Sequence, residues 1–163
     1  MGAANLRIIG IDPGTGILGF GVIEIVKSQP VLVDAGVIRT PVKEDDAVRL
    51  MTIYEELTDI ITATKPDAMS VEKLFFARNV TTAMTVAQAR GVVLLTAMQA
   101  GLHIAEYTPM QIKMAITSYG KADKKQVQEM VCVLLGLKEI PKPDDAADAL
   151  AAAITHSMTV RLS

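Results

Sequence analysis

The stretch Leu6-Arg7-Ile8-Ile9-Gly10-Ile11-Asp12-Pro13-Gly14-Thr15-Gly16 carries the main clue to this chain. Its apolar, β-branched first half predicts a buried strand, and Pro-Gly followed by a second glycine is the turn that stops it. Asp12 therefore ends an apolar strand, half inside the core. A charge there costs several kcal/mol unless something compensates it, and a cation is the obvious compensator. The alternative is that Asp12 only caps the turn, a common role for Asp.

Beyond this stretch, loose alternation from Ile17 to Ile25 predicts a second strand, Ser28-Gln29-Pro30 a turn, and Val31 to Ile38 a third strand with a bulge at Asp34-Ala35-Gly36. Short links between these three predict an antiparallel meander. Residues 44–64 carry apolar side chains at helical spacing and are stopped by Pro66-Asp67. Ala68 to Glu72 reads as a fourth strand. A helix is expected from about Asn79 to Ala100, ended by Gly101, with apolar residues nearly all the way round. Such a helix needs cover on more than one face, from a single core or from a second subunit. His103 to Glu106 is a short fifth strand. A helix then starts at Thr108-Pro109, another is capped by Asp123 and runs to about Leu135, and an alanine-rich one spans Asp144 to about Met158. This order predicts an α/β fold, its antiparallel half passing into a parallel half.

The 163 residues are expected to form one domain, 1–163. With 50% hydrophobic and 21% charged residues the composition is that of an ordinary globular protein, and the longest apolar runs fall short of a membrane span. No secretory leader is evident, and a cytoplasmic location is expected. The single cysteine, Cys132, lies in an apolar run and reads as a core thiol. The formal charge of −2 does not announce a nucleic-acid partner, but its distribution is uneven. Residues 41–70 hold seven acids against three bases, a net −4, while residues 73–125 hold seven bases against two acids, a net +5. The second segment permits a phosphate-binding face, chiefly Lys113, Lys121, Lys124 and Lys125; the plainer reading is two solvated faces.

Glu72 follows an apolar strand as Asp12 does, and ends of neighbouring parallel strands lie side by side. The last helix opens with Asp144-Asp145-Ala146-Ala147-Asp148. Asp145 and Asp148 are i and i+3, Asp144 and Asp148 are i and i+4, and either pair puts two carboxylates on one helical face. Acids at a helix start also complement its dipole, which suits Asp144 and Asp145 but not Asp148, a turn further in. Asp12, Glu72 and the Asp144/Asp145/Asp148 face can converge into one acidic cluster. Hard oxygen ligands of this kind suit Mg²⁺ or Mn²⁺, and paired ions serve phosphodiester cleavage. Of the two histidines, His103 looks like a strand residue and His156 falls near a helix end, where a cation is favoured.

Gly10-Ile11-Asp12-Pro13-Gly14, Gly19-Phe20-Gly21-Val22-Ile23, Val71-Glu72-Lys73-Leu74-Phe75, Ala87-Gln88-Ala89-Arg90-Gly91, Lys124-Lys125-Gln126-Val127-Gln128 and Asp145-Ala146-Ala147-Asp148-Ala149-Leu150-Ala151, in this order and spacing, resemble the RuvC family of Holliday-junction resolvases over nearly the whole chain. The resemblance implies an RNase H-like fold with a mixed five-stranded sheet flanked by helices. It also implies a homodimeric, Mg²⁺-dependent endonuclease that nicks two opposed strands of a four-way junction alongside a branch-migration motor (RuvA and RuvB). It selects Asp145 rather than Asp144, so the implied catalytic and metal-binding carboxylates are Asp12, Glu72, Asp145 and Asp148. Phe75 matches the family's aromatic that inserts near the crossover, with Phe76 as the core residue, and Lys113 and Lys124 match basic positions near the DNA backbone. Met110, Met114 and Ser118 depart from the family's usual residues.

Three other classes are distinguishable. An actin-like or sugar-kinase ATPase needs a second glycine-rich Asp turn, which 163 residues do not offer. An RNase H-like nuclease acting on RNA–DNA hybrids would share the carboxylates but not the substrate. A non-catalytic junction-binding module would bind without cutting.

Overall fold

Alternation along the first strand sends Ile9 and Ile11 one way and Ile8, Gly10 and Asp12 the other. A computed structural model, which describes residues 5–14, 16–73 and 80–162, shows what each side meets. The elements are β1 (Arg7–Asp12), β2 (Ile17–Val26), β3 (Gln29–Arg39), α1 (Asp46–Thr64), β4 (Ala68–Glu72), α2 (Val80–Gln99), β5 (His103–Tyr107), α3 (Pro109–Thr117), α4 (Lys124–Leu135) and α5 (Asp144–Leu162). The sheet order is β3-β2-β1-β4-β5, with β1, β2 and β3 antiparallel and β1, β4 and β5 parallel. This is the mixed five-stranded sheet the sequence led us to expect.

Ile9, Ile11, Leu18, Phe20, Met69 and Val71 pack against Ile53 and Leu57 of α1 and Val93 and Ala97 of α2. On the opposite face, Ile8 and Ile23 meet Ile112 and Ile116 of α3, Val127 and Val131 of α4, and the Leu150–Ile154 run of α5. The sheet is thus sandwiched between two helical layers, and Gly10, Ser70, Asp12 and Glu72 belong to the α5 side by alternation.

The helices begin where short-range chemistry says they should. Thr108 and Asp123 each accept a hydrogen bond from the backbone N–H three residues on, and Gln111 and Gln126 in turn accept one from the cap N–H. These reciprocal pairs satisfy donors that the first turn leaves unpaired. Ser118 closes α3 at φ 59°, a left-handed conformation that glycine adopts without strain, which gives the Ser118 departure a physical cost.

Four details differ from the sequence reading. The β2–β3 turn is Lys27-Ser28, both at positive φ, and Gln29 and Pro30 already belong to β3. Pro30 is tolerated because β3 is an edge strand, where a missing N–H need cost no ladder bond. The bulge falls at Val33, since Val22 pairs with Asp34 and Ile23 with Leu32. Helix α5 runs to Leu162, four residues beyond the expected end, because no glycine or proline interrupts it. Cys132 is half-buried rather than a core thiol, and its Sγ donates to the Leu137 carbonyl at 3.0 Å.

The feature that positions everything else is the contact of α5 with β1 and β2. A Cβ on Gly10 would fall on the Ala149 carbonyl oxygen, and one on Gly19 would fall on that of Asp145. Strand and helix backbones therefore touch directly, with no side chain between them. On the neighbouring strand, Ser70 Oγ donates to the Ala152 carbonyl at 2.6 Å and ties β4 to the same helix. Gly10→Ala is expected to lower stability by about 3 kcal/mol, the upper range for overpacking, because the clashing atom is backbone and cannot rotate away. Urea denaturation measures this, and a loss below about 0.5 kcal/mol would contradict the contact.

Candidate active site

Parallel pairing of β1 with β4 runs Gly10 to Ser70 and Ile11 to Val71, so Asp12 and Glu72 end adjacent strands side by side. The first turn of α5, pinned over Gly19 at Asp145, brings the helix acids to the same strand ends. Asp145 Oδ1 lies 4.0 Å from where a Cβ on Gly14 would stand, just past Asp12. The predicted convergence of Asp12, Glu72, Asp145 and Asp148 is what the fold produces. Asp144 lies on the outer side, its side chain 61% exposed against 25% for Asp148.

The electrostatics record the crowding. Burial, then the charges of Asp148, Glu72 and Asp145, push the Asp12 carboxyl up from 3.8 to about 8, with Lys124 opposing. Glu72 is raised by burial and Asp148, against Lys113 and Lys124. Asp148 is raised by burial and by Asp145 and Asp144, against Lys124. Lys124 places its Nζ 3.2 Å from Asp148 Oδ2 and 3.9 Å from Asp144 Oδ2. Burial alone would lower the ammonium's pKa, but Asp148, Asp144 and Asp12 together raise it.

Two cavities flank the carboxylates. One of about 270 Å³ is lined by Glu72, Lys113, Lys124 and Asp148, and one of about 230 Å³ by Asp12, Glu72, Lys73 and Arg90, with Pro109 on both walls. Of the basic residues expected on a DNA face, Lys113 and Lys124 thus stand at the carboxylates. Lys121 and Lys125 are exposed and line neither cavity, and Lys125 sits 3.9 Å from Glu129 on its own helix. Phe75 and Phe76 lie outside the described residues. Sequence reasoning passed over Arg90 as a site residue; the signal was that it is the sole charged side chain in α2.

Among the described residues no three His, Cys, Asp or Glu side chains close around one ion position. The fit to a cation rests instead on the donor set. Four carboxylates share one strand-end cluster, three of them are held above their ordinary range, and an ammonium already answers the charge. Hard divalent cations are the ions such oxygens take. His156 is not the helix-end cation that the sequence suggested. It lies inside α5, its Nδ1 2.7 Å from the Tyr107 hydroxyl, and burial followed by His103 lowers its pKa. It packs β5 against α5 as a neutral ring.

The chain is similar to known proteins over most of its length. A family model described as Crossover junction endodeoxyribonuclease RuvC matches residues 8–156. A protein of that name from Heliobacterium modesticaldum is 55% identical over 154 residues, covering 93% of this chain and 95% of its own. One from Brevibacillus brevis is 55% identical over 152 residues, covering 93% and 92%. Thermus thermophilus RuvC in complex with Holliday junction substrate superposes with a TM-score of 0.88 at 35% identity, covering 97% of this chain and 96% of that one. The yeast mitochondrial Holliday junction resolvase, at 12% identity and TM-score 0.70 over 93% of this chain and 78% of its own, shares the fold. The sheet order and its two helical layers are those of the RNase H-like fold. On this identity and coverage, the chain belongs to the RuvC family of crossover junction endodeoxyribonucleases.

Proposed function

We propose that the chain is a metal-dependent endonuclease that resolves four-way DNA junctions, with Asp12, Glu72, Asp145 and Asp148 as its catalytic carboxylates. The observation that carries the reading is the gathering of these four at the ends of β1 and β4 and the start of α5, where burial and then the neighbouring carboxylates push Asp12 up to about 8. Support for the substrate comes from the junction that the Thermus relative binds in its solved complex. Mg²⁺ is the cation we assign, with Mn²⁺ able to replace it, and when bound such ions activate water and stabilise the departing oxygen. The chain's own part is to present the carboxylates from two adjacent strands and one helix that cannot slide. Lys113 and Lys124 answer the phosphate charge from α3 and α4, and Lys121 and Lys125 add to the field further out. Residues 1–163 act as one nuclease domain, cytoplasmic, in partnership with a branch-migration motor complex. Among the described residues no helix is long and apolar enough to cross a membrane.

Paired nicks require two sites related by a two-fold axis. Helix α2 offers the surface for it: Met84, Leu95 and Met98 are 61%, 56% and 66% exposed and share one face with Gly91. We assign this stripe to the homodimer contact. Leu95→Glu is expected to give monomer in light scattering at micromolar concentration and to uncouple the two nicks. Dimer of unchanged mass would remove α2 from the interface.

Asp12→Asn, Glu72→Gln, Asp145→Asn and Asp148→Asn should each lower Mg²⁺-dependent cleavage of a mobile junction by several orders of magnitude while junction binding in Ca²⁺ persists. Asp144→Asn should cut nearly normally. Retained activity in any of the four removes that residue from the set. Cleavage of linear duplex or RNA–DNA hybrid in preference to the junction would redirect the substrate assignment.

The raised Asp12 pKa also makes a stability prediction. The folded state binds this proton more tightly than the unfolded chain, so the stability it contributes is full below 3.8 and is lost as pH rises through about 8. In EDTA the melting temperature should fall between pH 5 and pH 8.5 by roughly 5 °C more in the wild type than in Asp12→Asn. Millimolar Mg²⁺ at pH 8.5 should restore the difference in the wild type alone. Identical pH profiles for the two proteins would show that the cluster does not strain the fold.

A further inference from the structure

Helix α2 contains one charged residue, Arg90, and keeps it largely covered on a helix otherwise apolar, small or uncharged. Its side chain is 18% exposed. Nη2 donates to Glu106 Oε1 at 2.6 Å, and Nε, wholly enclosed, has no hydrogen-bond partner among the described residues. A guanidinium offers five donors, so its capacity here is only partly used. Stability gives no reason for such a residue, because one ion pair to a part-exposed Glu106 is a weak return for the desolvation.

Position supplies the reason. Arg90 lines the 230 Å³ cavity together with Lys73, Asp12 and Glu72. The Lys73 backbone N–H donates to the Tyr107 carbonyl at 2.7 Å, which fixes where the chain leaves β4, and its side chain is exposed. Across Glu72, the 270 Å³ cavity holds a second pair of cations, Lys113 and Lys124. The carboxylates therefore stand between two cationic pockets, one walled by α2 and the other by α3 and α4. A strand whose scissile phosphate lies at the carboxylates carries its neighbouring phosphates away on both sides.

We propose that Lys73 and Arg90 form a second phosphate subsite, which binds a backbone phosphodiester next to the scissile one on the same DNA strand. The inference rests on the nuclease reading above. A planar guanidinium suits a phosphate's paired oxygens, and Glu106 holds it at the pocket wall by a single nitrogen. The net negative charge of the carboxylate cluster opposes a phosphate in this pocket until a divalent cation offsets it, so the subsite engages DNA only in metal-loaded protein.

The test is junction affinity of wild type, Arg90→Gln and Arg90→Lys in Ca²⁺ and in EDTA. The probes are junctions carrying one uncharged methylphosphonate at each phosphate flanking the cut. In Ca²⁺, one such substitution should weaken wild-type binding roughly tenfold, and Arg90→Gln should bind the unmodified junction roughly tenfold less tightly. Arg90→Gln should then be indifferent to that same methylphosphonate, and its salt slope should be shallower by about one per lost contact. Arg90→Lys, with charge but no fork, should fall between. In EDTA the difference between wild type and variants should vanish. Additive losses from Arg90→Gln and every methylphosphonate, or wild-type affinity in Arg90→Gln, would overturn the subsite. If Arg90→Gln does not fold, the same coupling is read from Arg90→Lys. Cleavage of the unmodified junction by wild type in Mg²⁺ is scored in parallel. Failure there rejects the nuclease reading, whereas normal cleavage with additive losses rejects only the subsite.

Discussion

Direct backbone contact between α5 and the two central antiparallel strands is the constraint on which the rest of the molecule depends. A helix usually rides on a sheet at a distance set by side chains on both surfaces. Here Gly10 and Gly19 put no side chain into the gap, and the carbonyl oxygens of Ala149 and Asp145 rest on the strands themselves. Alanines at 146, 147, 149, 151, 152 and 153 complete the close fit, all buried. The depth of that seat decides where Asp145 and Asp148 stand relative to Asp12, and Ser70 fixes it from β4.

Within that frame the candidate site works against stability. Three carboxylates sit above their ordinary range because burial and one another's charge disfavour ionisation. Opposing them are two cations from the α3 and α4 layer, Lys113 and Lys124, while Lys73, just past β4, and Arg90 of α2 line the cavity on the other side. Lys124 has a second role in the chain as it stands, since its ammonium pairs with Asp148. A divalent cation held by Asp148 would have to compete with this ammonium for the same carboxylate.

Much of this was legible in the sequence, and for a definite reason. Asp12 ends an apolar β-branched run, Glu72 ends a short, mostly apolar strand and Asp148 interrupts an alanine-rich helix, so each stands out against a simple period. The three-strand meander and the later parallel strands follow from linker length. What stayed hidden depends on which elements meet. Spacing along α5 could not separate Asp144 from Asp145, whereas seating the helix on Gly19 does. His156 reads as a residue near a helix end when the helix is ended at about Met158, yet the helix continues to Leu162 and the Tyr107 hydroxyl meets the ring. The β2–β3 turn reads as Ser28-Gln29-Pro30 in the sequence, with Pro30 a usual turn residue, while Lys27 and Ser28 make it at positive φ without glycine. Lys121 and Lys125 were grouped with Lys113 and Lys124 by charge density, which says nothing about direction.

The contact under Gly10 also limits how this sequence can change over time. Most close contacts in a core involve two side chains, and a gain of volume on one side can be offset by a loss on the other. Gly36 is of that kind: a Cβ there would meet only the ring of Phe20, at 3.1 Å and 3.2 Å, and a smaller residue at 20 would make room. Gly10 has no such recourse. The atom it faces is the Ala149 carbonyl oxygen, which every amino acid at position 149 would carry. No second substitution on α5 can compensate, so among related sequences Gly10 should stay fixed without any covarying partner, while Gly36 and residue 20 are free to drift together.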